Sequence, residues 1–81
     1  MEINVDRGRD EVGIHLKGDI DVDSIQQLQT ELLRAVQDRP RELVVDLTYA
    51  EIGDAMGAST FMLARREADI AGVNLRLTND S

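Results

Sequence analysis

The chain has 81 residues, of which 42% are hydrophobic, and this length accommodates one small globular domain but not a second. Its formal net charge of −7 disfavours binding to nucleic acid or to an anionic membrane, and the lack of cysteine excludes disulfides and thiolate metal sites. No stretch approaches the ~20 apolar residues of a membrane span, and the N-terminus has no signal-peptide core. We therefore expect a cytoplasmic protein without membrane insertion.

Alternating apolar and polar residues predict a β-hairpin at the N-terminus. The alternation covers residues 3–5 and 12–16, and a charged segment that contains glycine separates the two runs. His15 falls on the polar side of the second predicted strand. A metal site needs several convergent ligands, and His15 is the single histidine of the chain, so we interpret it as a surface residue without a functional role.

The acidic segment GDIDVD, residues 18–23, predicts a turn that leads into an amphipathic helix. We place the N-cap at Asp23, with Gln26 in the capping-box position. Apolar residues recur at helical spacing from Ile25 to Val36, and Pro40 prevents continuation. Calcium binding is an alternative to the turn and cap, but the closing glutamate that an EF-hand loop needs is missing.

The apolar run from Leu43 to Leu47 predicts a central strand that is covered on both faces. Asp46, inside this run, either accepts backbone hydrogen bonds near the end of the strand or belongs to a site. A second helix is predicted from Ala55 to about Ala71, where Gly72 ends it. A last strand follows at residues 73–77.

The resulting order is strand, strand, helix, strand, helix, strand. Two right-handed helical crossovers place their flanking strands parallel, so the predicted fold is α/β, with a mixed four-stranded sheet, an antiparallel first hairpin and two main helices. The strand at 43–47 leads through a short loop into a helix N-terminus, which presents free N–H groups to anions or partners. We expect recognition at this loop.

Three segments of the sequence resemble the STAS domain family, which includes bacterial anti-sigma-factor antagonists and regulatory domains of sulfate transporters. They are LKGDID at 16–21, VVDLTYAEIGDAMG at 44–57 and AGVNLRLTN at 71–79. They look like the family's glycine-x-x-aspartate turn, its DSSG loop and its final strand. The resemblance implies one STAS-like domain over residues 1–81.

The DSSG loop of the family differs from this chain at the position of its switch. In the antagonists, the third residue of the motif is a serine that a partner anti-sigma kinase phosphorylates. Asp54 and Gly57 match the motif, whereas Ala55 and Met56 replace the two serines. A thioether has no hydroxyl that could accept a phosphoryl group, so the resemblance implies a module without this switch.

The resemblance also places partner contacts at Asp21 and at the loop from Asp54 to Gly57. Asp54 is expected to cap the second helix, and Asp21 is expected to lie beside the loop at the same end of the sheet. Ser59 and Thr60 follow within one turn of Met56 and are predicted to belong to the same contact surface. As replacement phosphoacceptors they are weak candidates, because a helical hydroxyl displaced by three or four positions points in another direction.

Family members usually continue beyond the last strand into a further helix, whereas this sequence stops at Ser81, so the domain looks short at its C-terminus. We expect an exposed apolar strip along the sheet or the second helix, and therefore a homo-oligomer or an obligate complex.

The leading hypothesis is a non-catalytic interaction module in bacterial transcription regulation, with an anti-sigma factor kinase as its partner and no cofactor. The alternative is an accessory subunit or regulatory domain that docks on a transporter. An enzyme or nucleotide-binding protein is disfavoured, because the sequence has no Gly-rich phosphate loop and no nucleophile paired with a base.

Overall fold

Four strands and two helices follow one another in the order that the sequence predicts. The computed structural model describes the backbone of residues 1–52 and 55–79 and the side chains of residues 1–51 and 59–79. The elements are β1 (Glu2–Arg7), β2 (Glu11–Ile20), α1 (Val22–Gln37), β3 (Glu42–Ile52), α2 (Ala55–Ala71) and β4 (Asn74–Thr78).

The strands form one mixed sheet in the order β1-β2-β3-β4. The β1–β2 hairpin is antiparallel, and the pairs β2–β3 and β3–β4 are parallel. Both crossovers advance one strand in the same direction, so right-handed connections place α1 and α2 on the same face of the sheet. The predicted mixed four-stranded sheet with two helices is confirmed.

One face of the sheet packs against the two helices, and we call it the covered face. Its central side chains are almost inaccessible to solvent: Ile14, Leu43 and Val45 are 0% exposed and Leu16 is 2% exposed. Leu28 and Leu32 of α1 and Ala64 and Ala68 of α2 belong to the same buried cluster. The core is therefore aliphatic, apart from Phe61.

The opposite face carries mainly polar side chains, and we call it the open face. Strand register and alternation assign to it Asn4, Asp6, His15, Lys17, Val44, Asp46, Tyr49, Asn74, Arg76 and Thr78. The prediction that β3 is covered on both faces is wrong. Val44 and Asp46 are only partly buried, so the run LVVDL is an alternating strand in which Val44 adds one apolar residue to the open face.

The first turn of α1 is capped by Asp21, two residues before the predicted N-cap at Asp23. Asp21 has extended backbone angles, which an N-cap residue requires, whereas Asp23 already lies inside the helix. Ser24 rather than Gln26 completes the capping box. Gly18 at φ 102° falls within β2, two residues before the strand ends.

The second helix ends where the sequence predicts. Gly72 adopts φ 76°, the left-handed conformation that glycine tolerates at the end of a helix, and the Val73 N–H donates to the Ala68 carbonyl at 2.8 Å. Among the described residues, neither helix is both long enough and apolar enough to cross a membrane.

Candidate partner-binding site

The predicted site lies where β2 and β3 end side by side. Ile20 and Ile52, the last residues of the two parallel strands, are register partners. Asp21 follows the first strand directly, and the loop that leads to α2 follows the second. Parallel neighbouring strands end at the same edge of a sheet, so the fold brings Asp21 and this loop to one edge.

Part of the predicted site falls outside the described residues. Asp54 is one such residue, and the side chains of Ala55, Met56 and Gly57 are others. Their assignment to partner binding stays a prediction.

Asp21 is exposed and held in a fixed orientation by Ser24. Its Oδ1 atom accepts hydrogen bonds from the Ser24 N–H at 2.9 Å and from the Ser24 hydroxyl at 2.6 Å. The Asp21 N–H donates in turn to Ser24 Oγ at 3.1 Å. The Ser24 hydroxyl, and next the Ser24 backbone N–H, lower the pKa of Asp21 below its ordinary value. Asp21 therefore presents a fixed negative charge at this edge at neutral pH.

Ser59 and Thr60 differ in accessibility. Ser59 is exposed, whereas Thr60 is only 8% exposed. Both residues line a groove between the two helices, together with Ile25, Gln29 and Leu63. Of these two hydroxyls, the one at Ser59 is the one that solvent or a modifying enzyme reaches in the folded domain.

A cluster that the sequence analysis did not connect lies at the centre of the open face. His15 Nδ1 is 3.2 Å from Asp46 Oδ2. The other carboxylate oxygen, Oδ1, accepts from the Thr48 N–H at 3.0 Å and from the Thr48 hydroxyl at 2.5 Å. The Thr48 hydroxyl contributes most, followed by the Thr48 N–H and His15, and together they lower the pKa of Asp46 to about 2.

This cluster coincides with an irregularity in the β2–β3 pairing. His15 pairs with Asp46 and Lys17 pairs with Tyr49, so one residue of β2 faces two residues of β3 between those pairs. At this bulge the Asp46 carboxylate accepts the N–H of Thr48. Beyond the bulge Tyr49 is 72% exposed. The cluster thus lies at the bulge, in the part of β3 that precedes its end at Ile52.

The spacing Asp-x-Thr within an apolar strand is a local signal for such a side-chain turn, but the pairing with His15 depends on strand register, which one sequence does not reveal. In the part of the chain that the structure describes, no three acidic or histidine side chains converge in a way that could hold a metal ion.

A sequence model of a protein family matches this chain. The family described as Mlab, STAS domain matches residues 3–81, almost the whole chain. The chain belongs to the STAS domain family, as its three motifs predict.

Solved structures share the fold at low sequence identity. The anti-sigma factor antagonist SpoIIAA of Bacillus, in its unphosphorylated form, is 20% identical with a TM-score of 0.82, and the match covers 99% of this chain and 74% of that one. An antisigma-factor antagonist STAS domain from Rhodobacter sphaeroides is 15% identical with a TM-score of 0.81, over 95% of this chain and 84% of that one.

A further solved structure shares the fold over only part of a larger protein. The protein Mglu is 23% identical with a TM-score of 0.82, over 96% of this chain but only 19% of Mglu. At these identities the likenesses concern the fold alone. Among curated protein sequences, none matches this chain.

Proposed function

We propose that this STAS domain is a non-catalytic protein-interaction module of the anti-sigma-factor-antagonist type. Its partner binds Asp21, the loop at 54–57 and the first turn of α2. The observation that supports this proposal is the register pair Ile20–Ile52, which brings the Asp21 turn and the loop to one edge of the sheet. A fixed carboxylate beside a helix start gives a partner a charged and oriented contact.

The proposed module works without phosphorylation at the position that the antagonists use. The support comes from the sequence, in which Met56 stands at the switch position and has no hydroxyl. The flexible thioether of methionine suits a contact surface. Such a module binds its partner constitutively or serves as a scaffold subunit.

The binding surface is tested by placing a charge on the loop. The probe is a purified anti-sigma factor kinase from the same organism. We expect Met56→Asp to weaken capture of that protein at least about tenfold, because an uncompensated charge would be buried at the contact. Gln27→Asp adds the same charge at an exposed position of α1 and should leave capture unchanged. Equal capture by Met56→Asp and wild type would remove the loop from the binding surface.

The absence of the switch is tested separately, by intact mass after incubation with the kinase and ATP. No added phosphoryl group is expected on the wild-type chain. If a phosphoryl group appears and Ser59→Ala abolishes it, the exposed hydroxyl of Ser59 has replaced the missing one. That result would overturn the proposal of a phosphorylation-independent module without touching the location of the binding surface.

A further inference from the structure

One side of α2 exposes two apolar side chains that lie about two turns apart. Met62 and Ile70 are each 72% exposed, in contrast to Ala64 and Ala68 of the same helix, which are buried. Eight residues along a helix correspond to a distance of about 12 Å. This side of α2 carries a shallow groove, which is lined by Met62, Arg65, Arg66, Asp69 and Ile70. We call these five residues the α2 strip.

The charge of the α2 strip is opposite to that of the chain. The chain carries a formal charge of −7, whereas the strip holds two arginines and one aspartate. The ion pairs within the described residues engage Arg7, Arg34, Arg76 and His15, and neither Arg65 nor Arg66 takes part in one. Two arginines that have no carboxylate partner among the described side chains, beside exposed apolar groups, complement a surface that is both acidic and apolar.

A second copy of this chain is a poor occupant of the α2 strip. A two-fold antiparallel pairing that brings Met62 of one chain to Ile70 of the other has its centre at Arg66, and it places the two Arg66 guanidinium groups against each other. Each chain also carries the same net charge of −7. Both terms are repulsive, and salt screens them only in part.

We propose that the α2 strip is a docking surface for an acidic amphipathic helix of another protein. Apolar residues of that helix, spaced three to four apart, contact Met62 and Ile70, and flanking carboxylates pair with Arg65 and Arg66. The apolar contacts supply most of the affinity, and the ion pairs at the rim supply orientation and selectivity. This surface lies beyond the first turn of α2 and does not depend on the function proposed for the loop.

The test uses two synthetic helical peptides that share one leucine stripe and differ in their flanking residues. One peptide carries glutamates and the other carries lysines. In fluorescence anisotropy at low salt we expect the glutamate peptide to bind at least about tenfold tighter, with affinity falling as salt is added. In amide NMR spectra its shifts should fall on residues 62–70. Equal or tighter binding of the lysine peptide, or shifts confined to another surface, would overturn the proposal.

Variants of the protein separate the contribution of the ion pairs from that of the apolar contacts. The double variant Arg65→Glu/Arg66→Glu should reverse the preference between the peptides, while Arg9→Glu/Arg39→Glu makes the same charge change at exposed positions elsewhere and should preserve it. Met62→Gln/Ile70→Gln should weaken the glutamate peptide at least about tenfold, since the apolar contact is lost. Circular dichroism verifies that each variant is folded. A dimer in light scattering that Met62→Gln/Ile70→Gln converts to monomer would assign the strip to a second copy and overturn the acidic partner.

Discussion

The two faces of the sheet use the same four strands for different purposes. On the covered face, Ile14 and Leu43 are 0% exposed and meet the helices. On the open face, within three residues of them in the sequence, His15 and Asp46 form a hydrogen-bonded cluster with Thr48. Neighbouring residues of one strand therefore contribute apolar packing on one side and polar order on the other.

The difference teaches that the two faces of β3 contribute to the stability of the domain by different means. Burial of aliphatic side chains on the covered face provides the main driving force for folding. The Asp46 cluster buries little, yet it lies at the bulge between β2 and β3 and orders polar side chains there. Changes on the two faces should therefore differ in size and in their dependence on pH.

The largest expected effect separates two adjacent residues of β2. Leu16 is 2% exposed on the covered face, so Leu16→Ala should lower the free energy of unfolding by roughly 2–5 kcal/mol, through lost burial and a residual cavity. Lys17 is exposed on the open face, and Lys17→Ala should change the free energy of unfolding by no more than about 0.5 kcal/mol. Denaturation by urea measures both. Equal losses in the two variants would contradict the division of the sheet into a covered and an open face.

A smaller effect is expected from the cap of the helix that borders the site. Ser24→Ala removes the hydroxyl that accepts the Asp21 N–H, and it should cost about 0.5–1.5 kcal/mol of unfolding free energy. Gln26, which the sequence pattern places in the capping box, makes no such contact in α1, so Gln26→Ala should leave stability unchanged or slightly raise it. A larger loss for Gln26→Ala than for Ser24→Ala would restore Asp23 as the cap.

The sequence predicts the order and type of all six elements because strands appear as alternation or as a short apolar run, whereas helices appear as longer segments with helical spacing. The cap of α1 is misplaced because the segment from Asp19 to Asp23 offers an aspartate at every second position, and each is a competent cap by type. The face assignment of β3 fails because Val44 interrupts the alternation. Local patterns of this kind do not say which surface remains without a covering element.

The candidate site is predictable to a smaller extent. Motif spacing places Asp21 and the loop at one edge of the sheet, and the strand register agrees. Neither the His15–Asp46 contact nor the different accessibility of Ser59 and Thr60 can be read from the sequence. The contact arises from the register of two strands whose paired residues lie 31 apart in the sequence, and the burial of Thr60 arises from the packing between the helices.

The smallest expected effect concerns the acid stability of the open face. Folding lowers the pKa of Asp46 from 3.8 to about 2, so the folded state binds a proton at this carboxylate less readily than the unfolded state does. The resulting stabilisation is fully present above about pH 5 and is lost as the pH falls through the folded-state pKa. Asp46→Asn removes this titration. The unfolding free energies of wild type and variant should therefore approach each other between about pH 4 and pH 2.

The difference in unfolding free energy between wild type and Asp46→Asn should be modest, because Asp46 is partly solvated and water screens its charge interactions. Asp6→Asn makes the same charge change at an exposed position of the open face and controls for net charge. Thr48→Val removes the largest single cause of the lowered pKa while it keeps the backbone N–H, so it should reduce the acid dependence without abolishing it. A constant gap between wild type and Asp46→Asn from neutral pH to pH 2 would mean that the cluster orders the bulge without stabilising it through the charge of Asp46.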